Sequence, residues 1–505
     1  MKKLLHFSFF IFHFSFAYSQ YMIYGTTFGG GAYYSSNNPN NYGTIFRYNP
    51  ITNKQAIGFS FNDTNGEYLQ GRLLYASDSM LYGMTQYGGT SSMGTLFSFN
   101  PKTNKETVLI NFDGVNGAGG PGGSELIQGK DGFLYGTTWI GGGTNNGVLF
   151  SYDIQTYKDS IRCNFNDSTS VGSRQAGAYM ELWQDTTTGM LFGGTEGGGF
   201  PGQGGVVYGF NPKNNLLKRY FIGPLNGNGH DPEGFTGGLT KANNGLLYGM
   251  SIGGGNHDSG TIYSFNTNSG TVQTVYSFGG AHGAYPNGNE LLKGANGLLY
   301  GCARQGGDLI GNGDGVLFSF NTTTNTEKVL KTFHDTDGSQ PWGRLIEDPD
   351  NGLLYGVTVY GGVGNLPGYG VLFCYNITTD VYTKLLNFTG PNGAFPNGLT
   401  LVKDTSVHVI HTAVSEVKNE SGEVKAYPNP SDGIFQLEIT NYKLESNNVV
   451  EVYNLLGEKV YSHHQITNAS NCQIDLSTQP NGIYFYRITT QSGELIGEGK
   501  MIIQR

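Results

Sequence analysis

Just ahead of a leucine in a recurring segment, the chain carries Arg72, Glu125, Glu181, Gly238, Glu290, Arg344 and Thr400. Carboxylates gathered across a cleft can act as general acid and base toward a glycosidic bond, or hold a ligand. Arginines at the same position point equally to mutual ion pairing around solvated space. The other chemistry-bearing residues are scattered. His230, His282 and His334 fall in loops that link successive repeats, and His257 in a neighbouring glycine turn. They occupy different loop positions beside no acid motif, so they read as exposed polar residues. "HDTDGSQ" (334–340) and "GNGDG" (311–315) superficially suggest calcium loops. Neither has the longer ligand series ending in Glu, and the first aligns with plain turns such as "GPNG" in sister repeats. The four cysteines lack CxxC spacing. Cys163, Cys302 and Cys374 replace Ile110, Met250 and Ser319 of sister repeats, and Cys472 lies near the C-terminus, so buried unpaired thiols are expected. No motif calls for a cofactor or a metal.

What must position these residues is a repeat. "NGLLYGMSIGGG" (244–255) has near-copies along the chain, with its aromatic at Tyr24, Tyr82, Tyr135, Phe192, Tyr248, Tyr300 and Tyr355. A fixed period of roughly 55 residues signals a solenoid or a propeller. Each unit reads as four strands: one such as "GRLLYAS", the quoted motif after a "DG" or "NG" turn, "GVLFSFN" beyond a glycine-rich exit turn, and "ETVLINF". The composition agrees, with 81 Gly, 33 Tyr and 31 Phe but only 13% charged residues. Disorder would need few aromatics. A net charge of −9 without a basic cluster excludes a nucleic-acid partner. The repeats open on a second strand, "YMIYGTT", and end on a first strand, "PNGLTLVKD", so each orphan completes the other. The predicted fold is therefore all-β, a seven-bladed β-propeller of four-stranded blades spanning residues 20–412. The strand around Leu401 closes it against Met22–Thr27. First strands line the channel of a propeller, which makes Arg72, Glu125, Glu181, Glu290 and Arg344 a candidate channel mouth.

Residues 1–19 read as a signal peptide: two lysines, a short apolar run from Leu4 to Ala17, and a small-residue cleavage site. No segment of the mature chain is apolar enough for a membrane helix. Residues 413–423 read as a polar linker, and 424–505 as a small Ig-like β-sandwich with alternating strands such as "IFQLEI" and "VVEVYN".

Two resemblances bear on these regions. The pattern Leu-Tyr-Gly-Thr-Thr, a Gly-Gly turn, then Gly-x-Leu-Phe resembles the GloVer type of tandem repeat over roughly residues 21–404. Phe192-Gly193-Gly194 and the enlarged first turn "FGGGAYYSSNNPNNYG" depart from it. The stretches "YPNPSDGIFQLEI", "VEVYNLLGEKVY", "IDLSTQPNGIYFYRI" and "GEGKMIIQR" resemble the C-terminal sorting domain of the type IX secretion system. That resemblance implies export across a Bacteroidota outer membrane, partnership with the type IX machinery, removal of the domain by a sortase-like peptidase, and anchoring at the cell surface or release. It also assigns Pro428, Asn429, Pro430, Gly433, Gly457, Gly482, Tyr484 and Lys500 to the sorting fold.

In up-and-down blades the second-to-third and fourth-to-first loops share one face. Aromatics concentrate there: Phe28, Tyr33, Tyr34, Tyr42, Tyr87, Trp139, Phe200, Tyr360 and Tyr369. Loops on a rigid scaffold are where binding resides, and such rings stack on sugar faces. The sequence thus favours a non-catalytic binding module for a glycan or a surface protein. The alternative is a carbohydrate-active lyase or hydrolase with its acids at the channel mouth.

Overall fold

The computed structural model describes residues 20–35, 42–69, 71–118, 125–165, 181–198, 204–222, 231–286, 290–307, 313–363, 368–404, 423–440, 448–454, 459–464, 471–490 and 495–505. Residues 1–19, the linker at 413–423 apart from Glu423, and Phe200, His230 and Gly457 lie outside them. The described residues form two compact all-β units, 20–404 and 423–505. Their only helical segments are the single 3-10 turns Gly31–Tyr33 and Gly280–His282.

The repeat unit is a series of four-stranded antiparallel sheets, with the Leu-Tyr-Gly strand second in each. In the sixth sheet, Leu292–Lys293, Leu299–Ala303, Val316–Asn321 and Thr326–Thr332 follow one another in chain order. The second sheet carries an extra short strand, as Glu67–Leu69 and Leu74–Tyr75 both pair with Leu81–Tyr87.

The motif itself is explained residue by residue. Its glycine lies in the strand, and the space of its missing Cβ is filled. Gly83 stands opposite Phe97 of the third strand, and a Cβ there would come within 2.5 Å of the Phe97 ring and 2.7 Å of Leu73. The same pairing of an aromatic and a first-strand leucine presses on Gly25 (Phe46, Leu399), Gly136 (Phe150, Leu126), Gly193 (Tyr208, Leu182), Gly249 (Tyr263, Leu239), Gly301 (Phe318, Leu291) and Gly356 (Phe373, Leu345). A ring lying across a cross-strand glycine covers backbone that would otherwise be bare. The tyrosine of the motif anchors the preceding turn. Tyr82 and Tyr135 donate to Asp78 and Asp131 at 2.7 Å, while Asn244 and Asn296 donate to Tyr248 and Tyr300. The hydroxyl two residues after the glycine accepts the first N–H of the third strand, as Thr85 does from Thr95. The exit-turn glycines, by contrast, serve conformation: Gly254 has φ +78°, and a Cβ there would strike the Asp231 carbonyl.

Gln20–Gly29 pairs with Ala394–Asp404, so the two ends of the repeat unit share one sheet, as the phase of the repeats requires. Thr26 donates to Asn397 at 2.6 Å, and Asn397 donates to the Leu69 carbonyl at 2.5 Å. The register corrects one alignment. Thr400 pairs with Tyr24 as Leu74 pairs with Tyr82, so Leu399 is the counterpart of Leu73 and Gly398 that of Arg72. The sequence misled because Leu399 and Leu401, two apart in a strand, point to the same face. Apolar clusters join neighbouring sheets. Tyr24, Ile45, Leu81 and Phe97 share one between the first and second, and Ile23, Phe46, Tyr355 and Leu372 share one between the last and the first.

In the C-terminal unit, a sheet of Glu423–Tyr427, Ile434–Thr440 and Asn471–Asp475 shares a core with a sheet of Lys459–His464, Val449–Tyr453, Gly482–Thr489 and Leu495–Ile503. Phe435, Leu437, Val452, Tyr486 and Met501 sit in that core.

Gly249→Ala should destabilise the repeat unit by about 1–3 kcal/mol, because the added methyl would lie 2.5 Å from the Tyr263 ring. Gly143→Ala, whose nearest neighbour is 3.7 Å away, should stay within about 0.5 kcal/mol of the parent. Denaturant titration of both variants checks the contrast.

Candidate functional site: an ion cluster and an aromatic loop face

The residue ahead of each first-strand leucine is set by the interlock just described, and five of these residues meet. Arg72 Nε lies 2.7 Å from Glu125 Oε2, too poorly aligned for a hydrogen bond, while its backbone N–H donates to Glu125 Oε1 at 3.0 Å. The Arg72 guanidinium also pairs with Glu181. Arg344 Nη1 lies 3.3 Å from Glu290 Oε1 and 3.7 Å from Glu181 Oε2. Carboxylate oxygens of Glu125, Glu181 and Glu290 fall within 4.8 Å of one another. Gly238 and Gly398 complete the column by leaving room: a Cβ on the first would meet Glu290, and on the second the Arg72 backbone.

Three carboxylates face two guanidinium groups, so full ionisation leaves an excess negative charge in a buried place. Burial, and then repulsion from Glu181, push Glu125 up to about 7. Burial pushes Glu290 well above the usual carboxylate range, with Arg344 opposing and Glu181 adding to the rise. Burial works against Glu181 too, but Arg72, a hydrogen bond from protonated Glu290, and Arg344 outweigh it and hold that carboxyl at about 2. By spacing the three carboxylates could hold a cation, yet the guanidinium groups already supply the positive charge. A pair of acids driven apart in pKa also matches glycoside hydrolysis. Here Glu181 is engaged by both arginines, and the adjoining cavity, lined by Glu181, Trp183, Thr240, Lys241, Glu290 and Arg344, measures only about 150 Å³. Ligand pockets run to about 300–1,000 Å³.

On the loop side, most of the expected aromatics form connected contacts. Tyr34 and Tyr369 meet edge to face with their hydroxyls 3.1 Å apart, and Tyr33 meets Tyr42 the same way. Two rings that the sequence reading missed link the others. Tyr68 stacks on Phe28 at 4.6 Å and meets Tyr87, while Phe395 lies between Tyr360 and Tyr369. These contacts run across the last, first and second sheets. Tyr33 and Tyr87 are exposed, whereas Tyr34 packs on Gly390. Trp139 touches none of these rings among the described residues. Tyr68 and Phe395 occupy one repeat position, three residues after the asparagine that precedes the glycine in "NDTNGEY" and "PNGAF", and that recurrence was the available signal.

The remaining expectations divide. His282 departs from the reading as a histidine without an acid: its Nδ1 lies 2.8 Å from the buried carboxylate of Glu327. His257 and His334 are exposed, and Asp337 caps a turn by accepting the His334 N–H. Cys302 and Cys374 are buried free thiols, and Cys163 is half-buried. In the C-terminal unit Asn429 donates to the Lys500 carbonyl at 2.6 Å and accepts from the Ile502 N–H at 2.8 Å. Gly433 leaves space for the Ser477 backbone, and Tyr484 donates to the Pro480 carbonyl. Pro428 and Pro430 follow cis peptide bonds, and Gly482 opens the strand that pairs with Lys500.

The ion cluster makes stability depend on pH. Glu125 and Glu290 have raised pKa values, so their contribution is full below about 4.5; that of Glu125 is lost as pH rises through about 7, and that of Glu290 is lost as pH rises through its own elevated value. Glu181 has the opposite sign, and its contribution is lost as pH falls from about 4.5 toward 2. Thermal unfolding of the repeat unit should therefore occur at lower temperature at pH 8 than at pH 5.5. Glu125→Gln should reduce that difference, on the order of 1–3 kcal/mol, without abolishing it, because half-buried Glu106 is likewise raised to about 7.

The repeat unit matches the Gloeobacter/Verrucomicrobia repeat family over residues 14–187 and 178–425. Residues 425–504 match the secretion system C-terminal sorting domain. No curated protein matches the chain. Among solved structures, PorZ, a surface component of the type IX secretion system of Porphyromonas gingivalis, aligns at 13% identity and TM-score 0.46, over 92% of this chain and 63% of PorZ. A fungal alcohol oxidase of the AA5 family, in complex with copper, aligns at 11% identity and TM-score 0.45, over 97% and 98% of the two chains. TolB from Acinetobacter baumannii aligns at 11% identity and TM-score 0.37, over 71% and 79%. Likenesses at these scores carry no argument about activity here. The two sequence matches cover nearly the whole chain: it belongs to the Gloeobacter/Verrucomicrobia repeat family and carries a type IX C-terminal sorting domain.

Proposed function

We propose that residues 20–412 form a closed seven-bladed propeller that binds a glycan or a surface partner without catalysis. The sorting tail indicates export to the cell surface or beyond it. Residues 1–19 act as the signal peptide, 413–423 as the linker, and 424–505 as an Ig-like domain removed by a sortase-like peptidase. Closure is supported by the shared sheet of Gln20–Gly29 and Ala394–Asp404 and by the apolar cluster between the last sheet and the first. The observation that carries the binding reading is the three groups of touching aromatic rings on the loops, with Tyr33 and Tyr87 open to solvent. Such rings offer flat apolar area at small entropic cost. The enzyme alternative rests on the divergent Glu181 and Glu290, and the tight ion pairing and small cavity there weigh against it.

Replacing "GAYYSSNNPNNYG" (31–43) by the shorter turn "GGTSSMG" should leave unfolding unchanged and abolish retention on a glycan array. Retention unchanged in that variant would move the site elsewhere. Release of reducing ends from any retained glycan would favour the enzyme alternative. Fusion of residues 413–505 to a signal-bearing reporter should carry it to the surface of a type IX-competent cell. Periplasmic retention, beside a working sorting domain, would refute the tail's role.

A further inference from the structure

A second feature of the loop side lies between the fifth and sixth sheets. Ile252, Gly253, Asp258, Tyr285, Arg304 and Gln305 line an open cavity of about 410 Å³, within the range of ligand pockets. Arg304 is half-buried. Its Nε donates to Gln340 Oε1 at 2.9 Å and its guanidinium lies 4.9 Å from the centre of the Trp342 ring. Among the described residues no carboxylate pairs with it, whereas Arg72 and Arg344 each have two. Burial pulls its pKa below the ordinary value, the mark of a charge whose desolvation is not offset.

Tyr285 is the second observation. It shares a left-handed backbone with Tyr68, Gln340 and Phe395, at φ between 52° and 58°. Each of the four donates its N–H to a carbonyl in the glycine loop of the preceding sheet: Ser259, Tyr42, Asp314 and Tyr369 respectively. This backbone belongs to the repeat, but a bulky side chain is costly in it. Tyr68 and Phe395 pack on neighbouring rings, and Gln340 is held by Arg304. Tyr285 alone of the four is 43% exposed and stacks on no ring among the described residues.

We propose that this cavity is a subsite for a uronate residue of an acidic polysaccharide. Its carboxylate would face the Arg304 fork, its ring face Tyr285, and its hydroxyls Asp258 and Gln305. Planar carboxylate and guanidinium match in geometry. Asp258 accepts one backbone bond, from Gly254 at 2.9 Å, through Oδ1, which leaves its other oxygen for a sugar hydroxyl. The assignment rests on the glycan-binding reading above and adds the charge class.

The test is calorimetric titration of the full chain with a uronate oligosaccharide, a neutral oligosaccharide and a sulfated one. The uronate should bind, Arg304→Gln should weaken it by about 10-fold or more, and neutral binding through the first loop should be unaffected. Tyr285→Asn removes the ring while suiting the left-handed backbone, so it should fold and also weaken uronate binding. Unchanged uronate affinity in both variants overturns the proposal. So does binding of only the sulfated or neutral sugar, or displacement of the uronate by a peptide through its C-terminal carboxylate. Failure of all three sugars to bind would instead refute the glycan reading on which the subsite depends.

Discussion

The structure of the repeat unit depends on the contact between a glycine in the second strand of each sheet, the aromatic opposite it in the third, and a leucine in the first. The ring needs the space where a Cβ would be, and the leucine closes over the same spot. Three strands are thereby held in one register, since a slip of one residue would turn every side chain to the other face. The acids and arginines one position ahead of the leucines come to a common level for that reason. Arg72, Glu125, Glu181, Glu290 and Arg344 meet because Leu73, Leu126, Leu182, Leu291 and Leu345 are each locked against a glycine.

The two polar regions differ in how their charge is balanced. In the ion cluster, carboxylates and guanidinium groups answer one another, and a proton on Glu290 relieves the one remaining excess charge. Such a network is nearly self-contained. On the loop side Arg304 is desolvated against Trp342 with no anion among the described residues, and Tyr285 is held exposed in a strained backbone. Unbalanced burial and unrelieved strain belong where something else completes the structure. Among the described residues, the loops rather than the ion cluster therefore hold the charge and the strained backbone that the chain itself leaves unanswered.

The C-terminal unit is built on other terms. Its core of Phe435, Leu437, Val452, Tyr486 and Met501 is its own. Asn429 reaches the backbone of the last strand at Lys500 and Ile502, and Arg505 donates to the Asp432 carbonyl at 2.7 Å. Asn429 of the sorting motif thus ties the beginning of that unit to its last strand.

How much was legible in the sequence follows from what is local. Strand order, the turns at Asp78 and Asn244, and the pairing of the first strand with the last are written in a period that repeats within one chain. Adjacent repeats test one another, and a missing strand at one end is supplied at the other. The column of Arg72, Glu125, Glu181, Glu290 and Arg344 was legible for the same reason, though its last member was misplaced at Thr400 instead of Gly398, since two leucines on one face satisfy the pattern equally. The reason for the in-strand glycine was not legible, because a ring's reach across to the next strand leaves no local trace. Neither was the pairing of His282 with Glu327, nor the burial of Arg304 against Trp342 and Gln340, which depends on which side chains separate loops bring near it. Sequence alone determined the repeat, its register signals and the sorting tail. Tertiary structure decided which charges are balanced and which are not, because burial and distance between remote residues set electrostatic energy and neither is a property of any short stretch of chain.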